Sequence, residues 1–465
     1  MSIMWRSFLC VGVMLGSAAF AGESEKLRLV ADLNPGPGGS HPREFIVWGD
    51  RVWFSAYSIQ NGKDAVSLYF SDGSTSGTGR IKDFPVLERS SKFDNPFVFK
   101  NRLYFQGPNA ALGAGSRVWV SDGTEAGTRP ISEDGKDVCK HALPFLIKDR
   151  LMLSLHGDYE GHGLVSLNLE TGVTETLAVP FDGWDDYTDG AMLKGAMLRL
   201  DSYGKALWSI DGTRSGLKKL VLPGLPAFEN DGGLNQFVSL PNGVLMLPNG
   251  SKQPLDLWYT EGKSVLKAAA WSWSKTELHP LWFGRVGELG VILAYDRTRR
   301  CGLWCSDGTT AGSRTIWDSD PYKDAIFSFP AGEHPSPVVS GGRLFFAMDD
   351  GQHGLELWCS DGTKEGTHLV IDIALGIEDA EVFKLFPMAD GRILFERKNA
   401  VSDTDLWITD GTEEGSRRLA SLKRPTDVVA VIKGMILLVS ENDQFGSELH
   451  ALDIPDMTKH SAEAK

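Results

Sequence analysis

The densest group of side chains that could bind a ligand is the acidic and aromatic run FDGWDDYTDG at residues 181–190. Carboxylate oxygens suit Ca²⁺, and aromatic rings stack on sugars. The run therefore predicts a Ca²⁺ or glycan site, formed by Asp182, Trp184, Asp185, Asp186, Tyr187 and Asp189. A solvated connector between two structural units is the alternative interpretation. Paired carboxylates could also perform the acid–base chemistry of a glycosidase, provided that their separation is suitable.

Histidines form a second candidate site. His41, His141, His279 and His334 each stand shortly before an apolar segment that we predict to be the first strand of a structural unit. On one rim of a ring, imidazoles could bind a transition metal or titrate near neutral pH. His279 and His334 come from adjacent units and are the predicted metal pair. The alternative is that a polar residue in this place simply ends a solvated connector.

No known catalytic motif accompanies these residues. The sequence has no nucleophile elbow, phosphate-binding loop, zincin helix or EF-hand loop. We therefore predict no catalytic residue and expect no cofactor, although Ca²⁺ is possible. Of the cysteines after the N-terminal segment (Cys139, Cys301, Cys305 and Cys359), Cys301 and Cys305 lie about 13 Å apart on a predicted strand. That distance is too long for a disulfide between these two. Cys305 and Cys359 share one position of the repeat, where we expect a packing role, and the sequence leaves other pairings of the four cysteines open.

The elements that position these residues repeat along the chain. The segments LWCSDGTTAGS (303–313), LWCSDGTKEGT (357–367) and LWITDGTEEGS (406–416) are near copies, and similar ones begin at 68, 118, 207 and 257. Weaker copies occupy 164–174 and 448–454. The pattern makes nine units of roughly 48 residues, which is typical of a repeat architecture.

Each unit reads as four antiparallel strands joined by hairpins. An apolar run such as RLFFAM (343–348) precedes each copy, short turns separate the runs, and a final run such as THLVIDI (367–373) follows. The Asp-Gly then lies in the turn between the third and fourth strands, where Gly accepts a positive φ and Asp bonds its own backbone. We predict this structural turn role for Asp72, Asp122, Asp211, Asp307, Asp361 and Asp410.

The strands are apolar on both faces, so every sheet must be covered on both sides. Four-stranded sheets stacked around a ring meet this demand, which predicts an all-β fold with a single closed β-propeller. The N-terminal run LRLVADLNPG (27–36) resembles a fourth strand, and the last unit stops after its third. We expect the N-terminal run to form the missing fourth strand of the last unit and so to close the ring. Nine blades are favoured, and eight result if the segment 164–174 is an insertion.

At the segment ELWCSDGTKEGT (356–367) the sequence resembles the bacterial repeat family named for its ELWxxDGT motif, also called hyalin-like. The segment DLWITDGTEEGS (405–416) is similar. The resemblance covers most of residues 27–455 and is strongest in the last third. It implies an exported or surface protein with propeller-like repeats and no common catalytic residues.

The N-terminus predicts export. Arg6, an apolar stretch and the Ala19-Phe20-Ala21 sequence are typical of a signal peptide at 1–21, with an uncleaved anchor as the alternative. The propeller would span 22–456 and a polar tail 457–465. The formal net charge of −14 opposes binding to nucleic acid or anionic lipid. We expect no membrane insertion of the mature chain, and a periplasmic, cell-surface or extracellular location.

These observations favour a non-catalytic binding or scaffold propeller whose ligand is a glycan, a cell-surface component or a protein partner. The motifs recur in most units, as structural motifs do, whereas an active site would break the repeat in one or two places. A glycan hydrolase or lyase built on a propeller is the first alternative. A sensor or assembly module of a cell-surface machine is the second.

Overall fold

In a computed structural model of the chain, every regular element of the described residues is a β-strand. The described residues are 27–60, 63–85, 93–108, 116–131, 138–139, 145–155, 163–177, 190–200, 206–225, 236–247, 255–271, 278–296, 301–318, 335–350, 352–398, 403–422, 427–442 and 444–454. The predicted signal peptide and C-terminal tail lie outside them. No helix able to cross a membrane is present in these ranges.

The strands form nine sheets, called blades 1 to 9 in chain order. The first strand of the chain, β1 (Arg28–Ala31), belongs to blade 9. The strands of blade 1 are β2 (Arg43–Trp48), β3 (Arg51–Gln60), β4 (Lys63–Ser71) and β5 (Gly79–Pro85). Those of blade 2 are β6 (Asp94–Phe99), β7 (Arg102–Pro108), β8 (Ser116–Ser121) and a fourth strand in two pieces, β9 (Arg129–Pro130) and β10 (Val138–Cys139).

Blades 3 to 6 each contain four consecutive strands. Blade 3 has β11 (Phe145–Ile147), β12 (Arg150–Leu155), β13 (Gly163–Asn168) and β14 (Thr174–Leu177). Blade 4 has β15 (Gly190–Leu193), β16 (Ala196–Leu200), β17 (Leu207–Ile210) and β18 (Lys218–Leu220). Blade 5 has β19 (Gln236–Ser239), β20 (Val244–Leu247), β21 (Leu255–Thr260) and β22 (Val265–Trp271). Blade 6 has β23 (Leu278–Val286), β24 (Leu289–Asp296), β25 (Cys301–Ser306) and β26 (Arg314–Asp318).

Blades 7 and 8 continue this order, and blade 9 takes its fourth strand from the other end of the chain. Blade 7 has β27 (Val338–Ser340), β28 (Arg343–Asp349), β29 (Leu355–Ser360) and β30 (His368–Ile371). Blade 8 has β31 (Val382–Pro387), β32 (Ile393–Lys398), β33 (Thr404–Thr409) and β34 (Arg417–Leu422). Blade 9 has β35 (Asp427–Ile432), β36 (Met435–Asn442) and β37 (Gly446–Asp453), with β1 paired antiparallel to β37.

The blades are arranged in a ring with their first strands innermost. The first strands of neighbouring blades contact one another, as β2 does with both β6 and β35. Connectors enter the first strands at one face of the ring, which we call the connector face. Because the strands of a blade are antiparallel, first and third strands begin there and second and fourth strands end there.

Apolar side chains fill every junction between blades. Nine clusters of buried residues each join two neighbouring blades. One of them joins the last blade to the first, with Val52 and Phe54 of blade 1 packed against Leu437 of blade 9. Since the cluster between the chain's two ends resembles the other eight, the described residues form a closed nine-bladed β-propeller. The predicted fold class is confirmed, with nine blades and not eight.

Candidate functional site

A cavity of about 320 Å³ lies between the inner strands of blades 7, 8 and 9. Its volume is at the lower end of the range of about 300–1,000 Å³ found for ligand pockets. Ser336 precedes β27, Phe383 and Lys384 lie near the start of β31, and Asp427 begins β35. Since first strands begin at the connector face, the polar part of the cavity lies at that face and beside the central axis.

Three charged side chains meet in the cavity. The Lys384 ammonium is 2.6 Å from Asp427 Oδ1 and 3.9 Å from Glu396 Oε2. The side chain of Glu396 is 2% exposed, whereas those of Lys384 and Asp427 are 42% and 75% exposed. The lysine thus connects a buried carboxylate of blade 8 to an exposed carboxylate of blade 9, and the group can both donate and accept hydrogen bonds.

An aromatic ring lies beside this charged group. Lys384 Nζ and Lys398 Nζ are 6.0 and 5.9 Å from the centroid of the Phe383 ring, within the range of a cation–π interaction. Phe383 and Phe386 both line the cavity. The cavity therefore combines apolar ring surface with an adjacent cation and two carboxylates.

A local irregularity of the first strand positions Lys384. The register of β31 against β32 shifts between Val382 and Lys384, which places Lys384 directly opposite Glu396. Glu381, just before the strand, has a positive φ of 51°. Similar shifts recur in the first strands of blades 1, 2, 6 and 9, so the bulge belongs to the repeat, and the charged residues that it positions are what distinguish blade 8.

The charged position of β32 is specific to blade 8. Glu396 lies opposite Leu406 of the third strand. Leu406 comes one residue before Trp407, which occupies the aromatic position that recurs in the third strands of most blades. The equivalent second-strand positions of other blades hold Ser55, Gln106, Leu293, Ala347 and Val439. The repeat is therefore broken at this point by a buried charge, and packing alone does not explain that charge.

The six predicted turn aspartates lie between the third and fourth strands, and their contacts are within the turn. In blade 7, Asp361 Oδ1 accepts hydrogen bonds from the N–H and the hydroxyl of Thr363, at 2.8 and 2.6 Å. The hydroxyl oxygen of Thr363 accepts one from the N–H of Gly366 at 3.0 Å. The same carboxylate contacts recur at Asp72, Asp122, Asp211, Asp307 and Asp410.

The same turn requires a particular backbone conformation at Gly362 and lowers the pKa of Asp361. Gly362 has a φ of 88°, which favours glycine. The hydrogen bond from the Thr363 hydroxyl holds the pKa of Asp361 below its usual value, despite partial burial that raises it. The repeated Asp, Gly and Thr are therefore explained by the stability of the turn, with no ligand required.

The predicted ligand site in the run 181–190, with Asp182, Trp184, Asp185, Asp186, Tyr187 and Asp189, lies outside the described residues except for Gly190. His334 of the predicted metal pair also lies outside them. Its partner His279 is the second residue of β23 and not a residue before the strand, and its ring centroid is 5.5 Å from that of Tyr295.

The described part of the chain contains histidine, cysteine and carboxylate side chains that bear on metal ligation and on disulfides. Within it, no group of three or more His, Cys, Asp or Glu side chains is arranged to hold a metal ion. Cys301, Cys305 and Cys359 are buried thiols outside any disulfide. They belong to the apolar clusters between blades, in line with packing positions.

No protein-family model and no curated protein matches the sequence. Solved structures with a similar fold include the β-propeller domain of the Trilobed protease from Pyrococcus furiosus, at 11% identity and a TM-score of 0.34, covering 83% of this chain and 99% of that one. Puromycin hydrolase matches at 12% identity and a TM-score of 0.39, over 90% of this chain and 60% of that one. Oligogalacturonate lyase in complex with manganese matches at 13% identity and a TM-score of 0.37, over 89% of this chain and all of that one (100%). This chain thus spans less than two thirds of the puromycin hydrolase, and similarity at this level assigns it no function.

Proposed function

We propose that the protein is an exported, non-catalytic binding propeller whose ligand is a short segment of glycan held in the cavity between blades 7, 8 and 9. The observation that carries the proposal is the break in the repeat at Glu396, where a buried carboxylate meets Lys384 and Asp427 beside Phe383. Structural positions recur from blade to blade, so a charged group confined to one cavity requires another reason.

The chemistry of the cavity matches that of a sugar. Hydroxyl groups donate to carboxylates and accept from ammonium groups, and both partners are present at Lys384 and Asp427. The apolar face of a sugar ring packs on aromatic rings, which Phe383 and Phe386 provide. The signal-peptide pattern at residues 1–21 and the resemblance to the ELWxxDGT family support export.

Binding is a better match to this geometry than hydrolysis. Glycosidases place a carboxylic acid and a second carboxylate on either side of the bond that is cleaved. Here the ammonium group of Lys384 contacts both carboxylates, so it occupies the space in which such a bond would have to lie. A hydrolase or lyase remains the alternative that the experiment must distinguish.

The experiment measures binding of a panel of short neutral and acidic oligosaccharides by calorimetry. For the best binder, Lys384→Met should weaken affinity roughly tenfold or more, because hydrogen bonds to charged groups contribute about 1.5–3 kcal/mol each. Lys267→Met is a matched control, because this lysine has the same 42% exposure and a 2.7 Å ion pair with Asp256, away from the cavity.

Two results would contradict the proposal. One is binding that is equally strong in the parent and in Lys384→Met. The other is release of new reducing ends or unsaturated products during the titration, because turnover would favour the glycan hydrolase or lyase.

A further inference from the structure

Two pairs of carboxylates on the connector face, each with a buried glutamate and a partly buried aspartate, lie outside the cavity. One member of each pair occupies the same position of the third strand. This position lies two residues before the repeated aromatic position, which holds Trp258, Trp358 and Trp407 in blades 5, 7 and 8. This position carries an acid in blades 5, 7, 8 and 9, as Asp256, Glu356, Asp405 and Glu448. The blades differ in the group that neutralises the charge of this acid.

Blades 5 and 8 neutralise the acid with a basic residue of their own fourth strand. In blade 5, Lys267 lies opposite the repeated tryptophan, and its ammonium is 2.7 Å from Asp256 Oδ2. In blade 8, Arg418 occupies the same place, and its guanidinium is 3.9 Å from Asp405 Oδ1. A single acid is thus paired with a single internal cation in each blade.

Blade 7 replaces that cation with an apolar residue and adds a second acid. Leu369 lies opposite the tryptophan. Since Leu357 pairs with Ile371, the next position of the fourth-strand segment, Asp372, lies across from Glu356. Blade 5 has an alanine and blade 8 a serine at this position. Glu356 and Asp372 are therefore two like charges side by side, an arrangement that destabilises a strand pair.

Blade 9 repeats both changes. Leu29 lies opposite His450, at the repeated aromatic position. Since Ala31 pairs with Leu449, Asp32 lies across from Glu448. The same double replacement in two separate blades, one of them completed by the N-terminal strand, argues against a chance arrangement of acids.

Each pair has buried oxygen atoms without a hydrogen-bond partner. Glu356 and Glu448 are both 0% exposed. Glu356 Oε2 and Glu448 Oε1 have no hydrogen-bond partner among the described residues, and neither do Asp372 Oδ1 and Asp32 Oδ1. No described lysine or arginine forms an ion pair with any of these four side chains. Unpaired buried charge is costly, so each pair requires a proton or a cation.

The other oxygen of each glutamate holds the connector that follows the fourth strand. Glu356 Oε1 accepts a hydrogen bond from the N–H of Ala374 at 2.8 Å. Glu448 Oε2 accepts one from the Ser40 hydroxyl at 2.6 Å and one from the N–H of Leu33 at 3.4 Å. One oxygen of each glutamate is therefore fixed in place, and the second oxygen is buried without a hydrogen-bond partner among the described residues.

Nearby charges leave the pair of blade 7 without a counterion. Burial and, to a smaller extent, the charge of Asp372 raise the pKa of Glu356 to about 7, although backbone hydrogen bonds from Ala374 and Ile373 and the charge of Arg397 lower it. His353 is the other basic group close by. Its ring already contacts Asp350, with Nδ1 2.9 Å from Oδ2.

We propose that each carboxylate pair, Glu356 with Asp372 and Glu448 with Asp32, binds a Ca²⁺ ion in place of the lysine or arginine of blades 5 and 8. The donors are carboxylate oxygens, which suit a hard cation, and Ca²⁺ completes its shell with carbonyl oxygens and water. Two carboxylates also neutralise one divalent ion. Binding would order the connectors that enter blades 8 and 1, at the face where the cavity lies.

The test is calorimetric titration of the chelator-treated full-length protein with CaCl₂, together with Tb³⁺ luminescence. We expect two binding events in the parent. Glu356→Gln should abolish one of them, Glu448→Gln the other, and the double variant both. If a glutamine variant fails to fold, Asp372→Asn serves in blade 7, because its partly exposed side chain is easier to replace.

Asp405→Asn is the matched control, because blade 8 has its own cation, and this variant should retain both events. Absence of Ca²⁺ binding by the parent would overturn the proposal, as would binding that survives in the double variant. A third result would also overturn it. If Ca²⁺ has no effect and Glu356→Gln removes a rise in Tm seen on lowering the pH through 7, the pair holds a proton instead.

Discussion

At the scale of single residues, the carboxylate of the turn aspartate leaves no room for a side chain at the second glycine of the same turn, for example at Gly366 beside Asp361. A Cβ atom built at Gly366 would lie 2.1 Å from Asp361 Oδ1. The same clash recurs at Gly77, Gly127, Gly216, Gly312 and Gly415 with the aspartate of their own turn. The Asp, the Thr and this Gly are therefore one unit, since the aspartate can bond the turn only where no side chain replaces the glycine.

Gly366→Ala should lower the free energy of unfolding by about 1–3 kcal/mol, the usual cost of an overpacked site. The methyl group forces the Asp361 carboxylate out of its hydrogen bonds to Thr363. Urea denaturation measures the change, and Gly38→Ala, which meets nothing within 4 Å, is the control. In an Asp361→Ala background the cost should shrink. A cost of the same size there would show that the carboxylate is not the cause.

The turn aspartates could be predicted from the sequence, but the charged group of the cavity could not. The turn is local, so its residues are adjacent in the chain and repeat. Lys384, Glu396 and Asp427 come from three strands of two blades and meet only in the folded ring. The available signal was the charge in ILFERK (393–398), where most other second strands continue with small or apolar residues.

At the scale of strands, β1 has an unusual position, because it comes first in the chain and completes the last sheet. It pairs with β37 from Arg28 to Ala31, and Val30 is fully buried between blades 9 and 1. Without it, β37 would present a long unpaired edge, and the cluster that joins the chain's two ends would lose a member.

Deletion of residues 27–34 should therefore lower the Tm of the whole protein and promote association through the exposed edge. Differential scanning calorimetry and light scattering measure the two effects. A synthetic peptide of residues 27–36 added to the truncated protein should restore part of the Tm, whereas a peptide with Val30→Asp should not. An unchanged Tm after the deletion would show that β1 is dispensable for the ring.

Most strands were predictable, because repeated apolar runs with short turns define them, but two irregularities were not. The fourth strand of blade 2 is present as two pieces, β9 and β10, and residues 132–137 between them lie outside the described part of the chain. In blade 3, Asn168 substitutes for the turn aspartate, and its Oδ1 accepts hydrogen bonds from the N–H groups of Glu170 and Thr171. Because this unit lacks the turn aspartate, it was difficult to recognise in the sequence, which was therefore compatible with either eight or nine blades.

At the scale of the whole molecule, the ring has no end at which unfolding can begin. In a linear array of repeats, each unit contacts its neighbours only, so terminal units can unfold first. Here the cluster between blades 9 and 1 gives every blade two packed neighbours. The described residues should therefore unfold in one cooperative step. A substitution that destabilises one junction should also lower the free energy of unfolding of the blades on the opposite side of the ring.

Leu437→Ala tests this expectation, because Leu437 is fully buried in the junction between blades 9 and 1. Truncation of a buried leucine costs about 2–5 kcal/mol. Hydrogen exchange followed by mass spectrometry should show faster exchange through global unfolding in every blade, including β20 (Val244–Leu247) of blade 5, across the ring. Val221→Ala, at a side chain that is 87% exposed, is the control and should change nothing. If exchange rises in blades 9 and 1 alone, the blades unfold independently, and the closed ring does not make the molecule cooperative.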